Sequence, residues 1–159
     1  GGRMIGEGCH MLDLFQFLVN GAEPVSMTAS AVQPHVEHLT GADNVSVTVQ
    51  YADGSLGTLI YTALGAPAFS KEYVEVYADQ KVFVLDDYKS LRAYGAGALD
   101  WNAPLADKGH VAELQLFARY VRGEIPAPIP LAEAVATTAL TFQIAQESER
   151  RATLANEES

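Results

Sequence analysis

The chain has 159 residues, an apolar fraction of 48%, a charged fraction of 19% and a formal net charge of -10, from 10 Lys+Arg against 20 Asp+Glu. That length and apolar content are enough for one folded domain with a real core. The acidic balance repels phosphate backbones and anionic lipid, which excludes nucleic acid as a main partner, and no apolar run reaches the roughly 18 residues of a membrane span.

The first predicted element is a helix over Glu7–Asn20, with Met11, Leu14, Phe15 and Leu18 at helical spacing and Asn20–Gly21 as its C-terminal stop. It is not a secretory signal, because no basic segment precedes the apolar stretch and Glu7, His10 and Asp13 interrupt it. Cys9 is the one cysteine. It excludes an internal disulfide framework and predicts a reducing, cytoplasmic setting.

From there to about residue 94 the apolar period changes from that of a helix to that of a strand. Six strands are predicted: Val25–Gln33, Asn44–Tyr51, Ser55–Leu64, Glu72–Asp79, Lys81–Asp87 and Ser90–Gly95. The second alternates strictly, with Val45, Val47, Val49 and Tyr51 on one face and Ser46, Thr48 and Gln50 on the other. Ala52–Asp53–Gly54 is a tight hairpin turn. Gly95–Gly109 reads as a loop.

Two helices follow, His110–Glu124 with Leu114, Phe117, Ala118 and Val121 on one stripe, and Leu131–Arg151 with Val135, Thr138, Phe142 and Ala145 on one stripe. Ile125–Pro130 connects them, and the segment from Ala152 onward is expected to fray. Strands segregated from helices predict an α+β fold. The expected architecture is a largely antiparallel, open sheet of about six strands with helices on one face, in a single domain over residues 1–159. The other face, carrying Ser, Thr, Gln and Tyr, must meet solvent, a ligand or another protein surface.

No Gly-rich phosphate-binding loop occurs in a βαβ context. The chain therefore has no cofactor-binding residues of its own, and no bound nucleotide is expected.

The chemistry-bearing residues cluster in the first helix. Glu7, His10 and Asp13 stand three residues apart, so one side of a helix can present an acid, an imidazole and a second acid. A carboxylate beside an imidazole fixes its tautomer and raises its basicity, as acid–base catalysis requires. The same spacing also suits a partly buried structural helix. Glu-x-x-His is half of a di-metal carboxylate site, but Glu113 and Glu133 in the late helices lack a His three places on, so no metal is expected. His35 and His38 are expected to be solvated. Cys9 and His10 point to different sides of a helix and make no nucleophilic pair.

The opening "GEGCHMLDL" resembles the start of the C-terminal domain in the Gfo/Idh/MocA family, the glucose–fructose oxidoreductase and inositol dehydrogenase group. There a Gly-Gly stretch leads into an Asp-x-x-x-His pair followed by x-x-Asp; the counterparts are Gly1–Gly2, His10 and Asp13. One branch, with Gly-Glu-x-Cys-His-Phe-x-Asp, is closer still. The resemblance continues in "GTLIYTALGAPAFSKEYVEVY", "KVFVLDDYKSLRAY", "DKGHVAELQLF" and "IPLAEAVATT", and so runs through nearly the whole chain. The family's Asp, four residues before His10, falls on Gly6. Glu7 either replaces it or leaves the proton relay to His10 alone.

The resemblance implies the second half of a two-domain NAD(P)-dependent oxidoreductase, its N-terminal Rossmann domain missing, acting on a hydroxyl of a sugar, sugar derivative or cyclitol. His10 and Glu7 are then the catalytic candidates. Arg3, Asp13, Tyr61 and Lys71 are the substrate-binding ones, with Tyr61 and Lys71 at the open side of the sheet. A homodimer or tetramer formed through the open face is expected. The alternative is a non-catalytic oligomerisation or small-polyol-binding module. Oligomerisation is compatible with the dehydrogenase reading, and a G-x-G-x-x-G motif upstream in the full-length gene would separate that reading from the polyol-binding module.

Overall fold

The alternation of Asn44–Tyr51 places four residues on one face, and in the folded chain Val45, Val47, Val49 and Tyr51 are all essentially inaccessible to solvent. The computed structural model describes residues 2–32 and 43–157, without the side chains of 152–157. These group into two compact units, Gly1–Leu64 with Ile129–Ser159, and Gly65–Pro128.

In the first unit a π-helical turn, Met4–Gly8, runs into helix α1, Cys9–Leu18. Strands β1 (Pro24–Ala31), β2 (Asn44–Tyr51) and β3 (Leu56–Thr62) form an antiparallel sheet in that order. The β2–β3 turn is tight, with Gly54 at φ +88, and Asp53 accepts the Ser55 amide proton at 2.9 Å. Helix α3, Leu131–Glu157, packs on β1 and α1. Leu12, Leu140 and Ile144 complete the core under Ala29, Leu59 and the β2 valines.

Buried Asn44 closes one end of the β2–β3 ladder, its Oδ1 accepting from Thr62 Oγ1 at 2.8 Å and from the Ala63 amide at 2.9 Å. The opposite face stays open, with Ser26, Ser30, Ser46 and Gln50 exposed beside Leu56 and Ile60.

In the second unit β4 (Tyr73–Ala78), β5 (Lys81–Asp86), β6 (Ser90–Tyr94) and β7 (Trp101–Asn102) form a four-stranded antiparallel sheet. Asp79 and Gln80 at the β4–β5 turn both have positive φ, as a two-residue hairpin turn requires. Helix α2, His110–Val121, buries none of its residues.

The α+β class and the antiparallel pairing hold. The strands divide between two sheets, however, because the Pro-containing stretch 65–72 carries no alternating pattern to extend the ladder past β3. The predicted 95–109 loop contains β7, which pairs Leu91 with Trp101 and Ser90 with Asn102. The last helix continues to Glu157 instead of fraying at Ala152.

Two helical stripes differ from expectation. In α1, Leu12 and Gln16 are the buried positions and Leu18 is exposed. In α3 the buried stripe is Thr137, Leu140, Thr141, Ile144 and Ser148, while Val135 and Phe142 are exposed. The hydroxyls of Thr141 and Ser148 bond carbonyls one turn back at 2.8 Å, which satisfies them inside the core.

Candidate functional site

Chain entry begins at Gly2, whose carbonyl accepts the Ile5 amide at 3.1 Å and the Gly6 amide at 3.4 Å. The helix then opens wider than an α-helix, since the Cys9 amide reaches back five residues to the Met4 carbonyl. Met4 is buried, and a Cβ on Gly8 would fall on its Sδ, so a side chain at Gly8 would have to displace it. Such π-turns occur disproportionately at functional sites.

The wide turn directs Glu7 toward the sheet, where the Tyr61 hydroxyl donates to Glu7 Oε2 at 2.7 Å. Tyr61 pairs with Val45 across β2–β3, which puts it on the helix-covered face, packed against the core, and not on the open side as expected. The reason is register: Tyr61 shares parity with Leu59 and Gly57, over which the Phe15 ring lies.

Arg3 reaches the same group. Its Nε lies 3.6 Å from Asp43 Oδ1. Tyr61 beside it, with the charges of Glu7 and Asp43, raises the Arg3 pKa above its ordinary value. Burial pushes the Tyr61 phenol up, the bond to Glu7 adds to the rise, and Arg3 partly opposes it. Tyr61 is thus a neutral phenol that donates to a carboxylate with a cation nearby.

His10 stands exposed in the first turn of α1, Cys9 is half-buried beside it, and Asp13 is half-buried one turn further on. Lys71 belongs to the second unit, where it lies 4.0 Å from Glu72. The fold therefore brings Arg3, Glu7 and Tyr61 together, with Asp43 as a fourth member that spacing did not reveal. Asp43 had no signal in the sequence beyond its place just before β2.

Among the described residues, no group of three or more His, Cys, Asp or Glu side chains gathers as a metal ion would need. His35 and His38 lie outside the described residues. No helix among the described residues is long and apolar enough to cross a membrane. Among the described residues all strand pairs are antiparallel, and none belongs to a β–α–β unit of the kind that cradles a dinucleotide.

No protein of curated function matches the sequence. Among solved structures, the chain is similar to UDP-N-acetylglucosamine 3-dehydrogenase from Acidithiobacillus ferrooxidans, at 22% identity and TM-score 0.71 over 90% of this chain and 46% of that one. It is also similar to aldose–aldose oxidoreductase from Caulobacter crescentus, at 16% identity and TM-score 0.69 over 90% and 44%. The WlbA dehydrogenase from Bordetella pertussis, in complex with NADH and UDP-GlcNAcA, matches at 17% identity and TM-score 0.59 over 94% and 43%. The chain spans a little under half the length of these structures, and at such identities the likeness establishes the fold. The family model of the GFO/IDH/MocA C-terminal domain matches residues 1–96, and the chain belongs to that family.

Proposed function

We propose that this chain is the substrate-side half of an NAD(P)-dependent oxidoreductase acting on a hydroxyl of a sugar, sugar derivative or cyclitol. The single observation that carries the reading is the Glu7–Tyr61 bond of 2.7 Å, which ties the motif-bearing opening of the first helix to the sheet and leaves His10 exposed beside it. The nicotinamide cofactor would be held outside the residues described here. Two of the similar structures, a UDP-N-acetylglucosamine 3-dehydrogenase and an aldose–aldose oxidoreductase, support a sugar as the substrate class.

In this reading His10 takes the proton from the substrate hydroxyl on oxidation and returns it on reduction. Glu7 stabilises the charge that develops on the imidazole, in place of the family's Asp, which is Gly6 here. The exposed part of Arg3, together with Asp13, lines the substrate side. A lone cysteine suits the cytoplasm, where we place the protein.

The open face of the first sheet supports a second proposal, pairing between two copies. Its centre is uncharged, and it presents Leu56 and Ile60, 69% and 74% exposed, among Ser, Thr and Gln. A self-complementary patch of this kind is most simply covered across a two-fold axis. Light scattering at tens of micromolar protein should give a dimer or tetramer; a clean monomer of 17.0 kDa would remove the proposal.

The catalytic reading is tested in the intact enzyme that carries this chain. His10→Asn should lower kcat by about 10²- to 10⁴-fold with cofactor affinity nearly unchanged, and Glu7→Gln by less. Near-normal turnover in both would make the helix structural. The chain alone should bind neither NAD nor NADP in calorimetry, and a low-micromolar dissociation constant would overturn the cofactor assignment.

A further inference from the structure

We infer that Tyr61 is a positioning residue that holds Glu7 in place for the acid–base chemistry, and not a group that meets the substrate. The inference rests on the reading of His10 and Glu7 given above.

Glu7 lies on the surface, and an exposed glutamate samples several rotamers in each of its torsions. Tyr61 is a fixed post by comparison. It is half-buried, packed against the core opposite Val45, which is 2% exposed. The hydroxyl donates to Glu7 Oε2 at 2.7 Å, within the range of a bond to a charged acceptor.

The one proton of that phenol is therefore committed to Glu7 inside the protein, with the Arg3 charge nearby. Arg3 is braced in turn by Asp43. Among the described charged and titratable groups, Tyr61 from β3 bonds Glu7, the charge of Arg3 acts on it, Asp43 before β2 pairs with that Arg3, and His10 follows three residues on in α1. Burial and the neighbouring carboxylate both keep the phenol protonated, so it remains a donor through the neutral range. Donation to the ionised form favours it, and Glu7 is thereby held as a charged acceptor in one orientation.

Tyr61→Phe keeps the ring and removes the hydroxyl. In the chain itself, carboxyl-carbon NMR should show the Glu7 titration moving to higher pH in Tyr61→Phe, with the fold and the remaining amide spectrum kept. An unmoved Glu7 titration would overturn the proposal. In the intact enzyme, loss of a bond to a charged group should lower kcat by about 10- to 100-fold. KM should change little, and the acid limb of the pH–rate profile should move up.

Adding Tyr61→Phe to Glu7→Gln should cost nothing further, because the residue acts through Glu7. A raised KM, or a full effect of Tyr61→Phe in the Glu7→Gln background, would make Tyr61 a substrate contact and overturn the inference. If the Glu7 titration moves while His10→Asn turns over normally, the positioning stands and the catalytic reading is what fails.

Discussion

The two units of this chain reach order by different routes. Among the described residues, every buried one, Met4 and Leu12 through Ile144 and Ser148, belongs to the first unit. The second has none: Val74, Val76, Phe83, Leu85 and Leu91 are only half-buried. Its order comes from local chemistry instead, from positive-φ turn residues and from side-chain bonds at the rim. Lys108 binds Glu72 at 2.6 Å and lies 5.5 Å from the centre of the Tyr88 ring, and Asp100 binds Arg92 at 3.2 Å. Gly95 belongs to the same scheme, since a Cβ there would stand 2.8 Å from the Gln80 carbonyl oxygen. The candidate site sits on the unit with the core. That is physically sensible, because a phenol can position a carboxylate only if something rigid holds the phenol.

Core truncation tests this contrast most severely. Ile144→Ala removes a fully buried side chain and should cost about 2–5 kcal/mol, read by urea denaturation. Phe83→Ala in the half-buried sheet should cost clearly less, and equal losses would mean the second unit has a core of its own.

The next effect concerns close approach. Gly57→Ala would place a Cβ 2.5 Å from the Phe15 ring, and the overpacking should cost about 1–3 kcal/mol. Asn44→Ala leaves the Thr62 hydroxyl and the Ala63 amide without their acceptor at a buried position, again about 1–3 kcal/mol. Both are measurable as shifts in thermal midpoint. An Asn44→Ala protein as stable as the parent would mean water replaces the lost acceptor.

Rim contacts should matter least. Lys108→Met should cost about 0.2–1 kcal/mol, since the pair is partly exposed and screened. It should also speed amide exchange in 90–102 while leaving β2 untouched.

The smallest effect is a pH dependence on α3. Hydrogen bonds from Arg150 and then Arg151 lower the Glu147 pKa from 4.5 to about 2. A depressed acid stabilises the fold above its unfolded value, so this contribution is present above about pH 4.5 and disappears as pH falls toward about 2. Glu147→Gln should therefore be slightly less stable than the parent at pH 7 and equal to it near pH 2. A difference that persists in acid would point to packing, not charge.

Much of this was legible without the fold. Alternation over Asn44–Tyr51 named the four buried residues of β2, because a strand's period of two leaves only one way to sort its side chains. The stop at Asn20–Gly21 was equally plain: both residues take the positive φ that ends a helix, at +53 and +78. Spacing grouped Glu7, His10 and Asp13 on one side of the first helix, and Arg3 and Glu7 lay in one short segment.

The rest was decided by partners distant in the chain. A helix stripe is buried only against what covers it. Gln16, Thr141 and Ser148 went inside because their polar atoms find backbone carbonyls there, whereas Phe17 and Phe142 stayed out. Met4 fills the space that a side chain at Gly8 would take. Tyr61 reaches Glu7 from 54 residues away, and only the register of β3 on β2 set which side of the sheet it took. Sequence periodicity carries information about neighbours along the chain; the site is completed by residues that only pairing and packing bring within a hydrogen bond of one another.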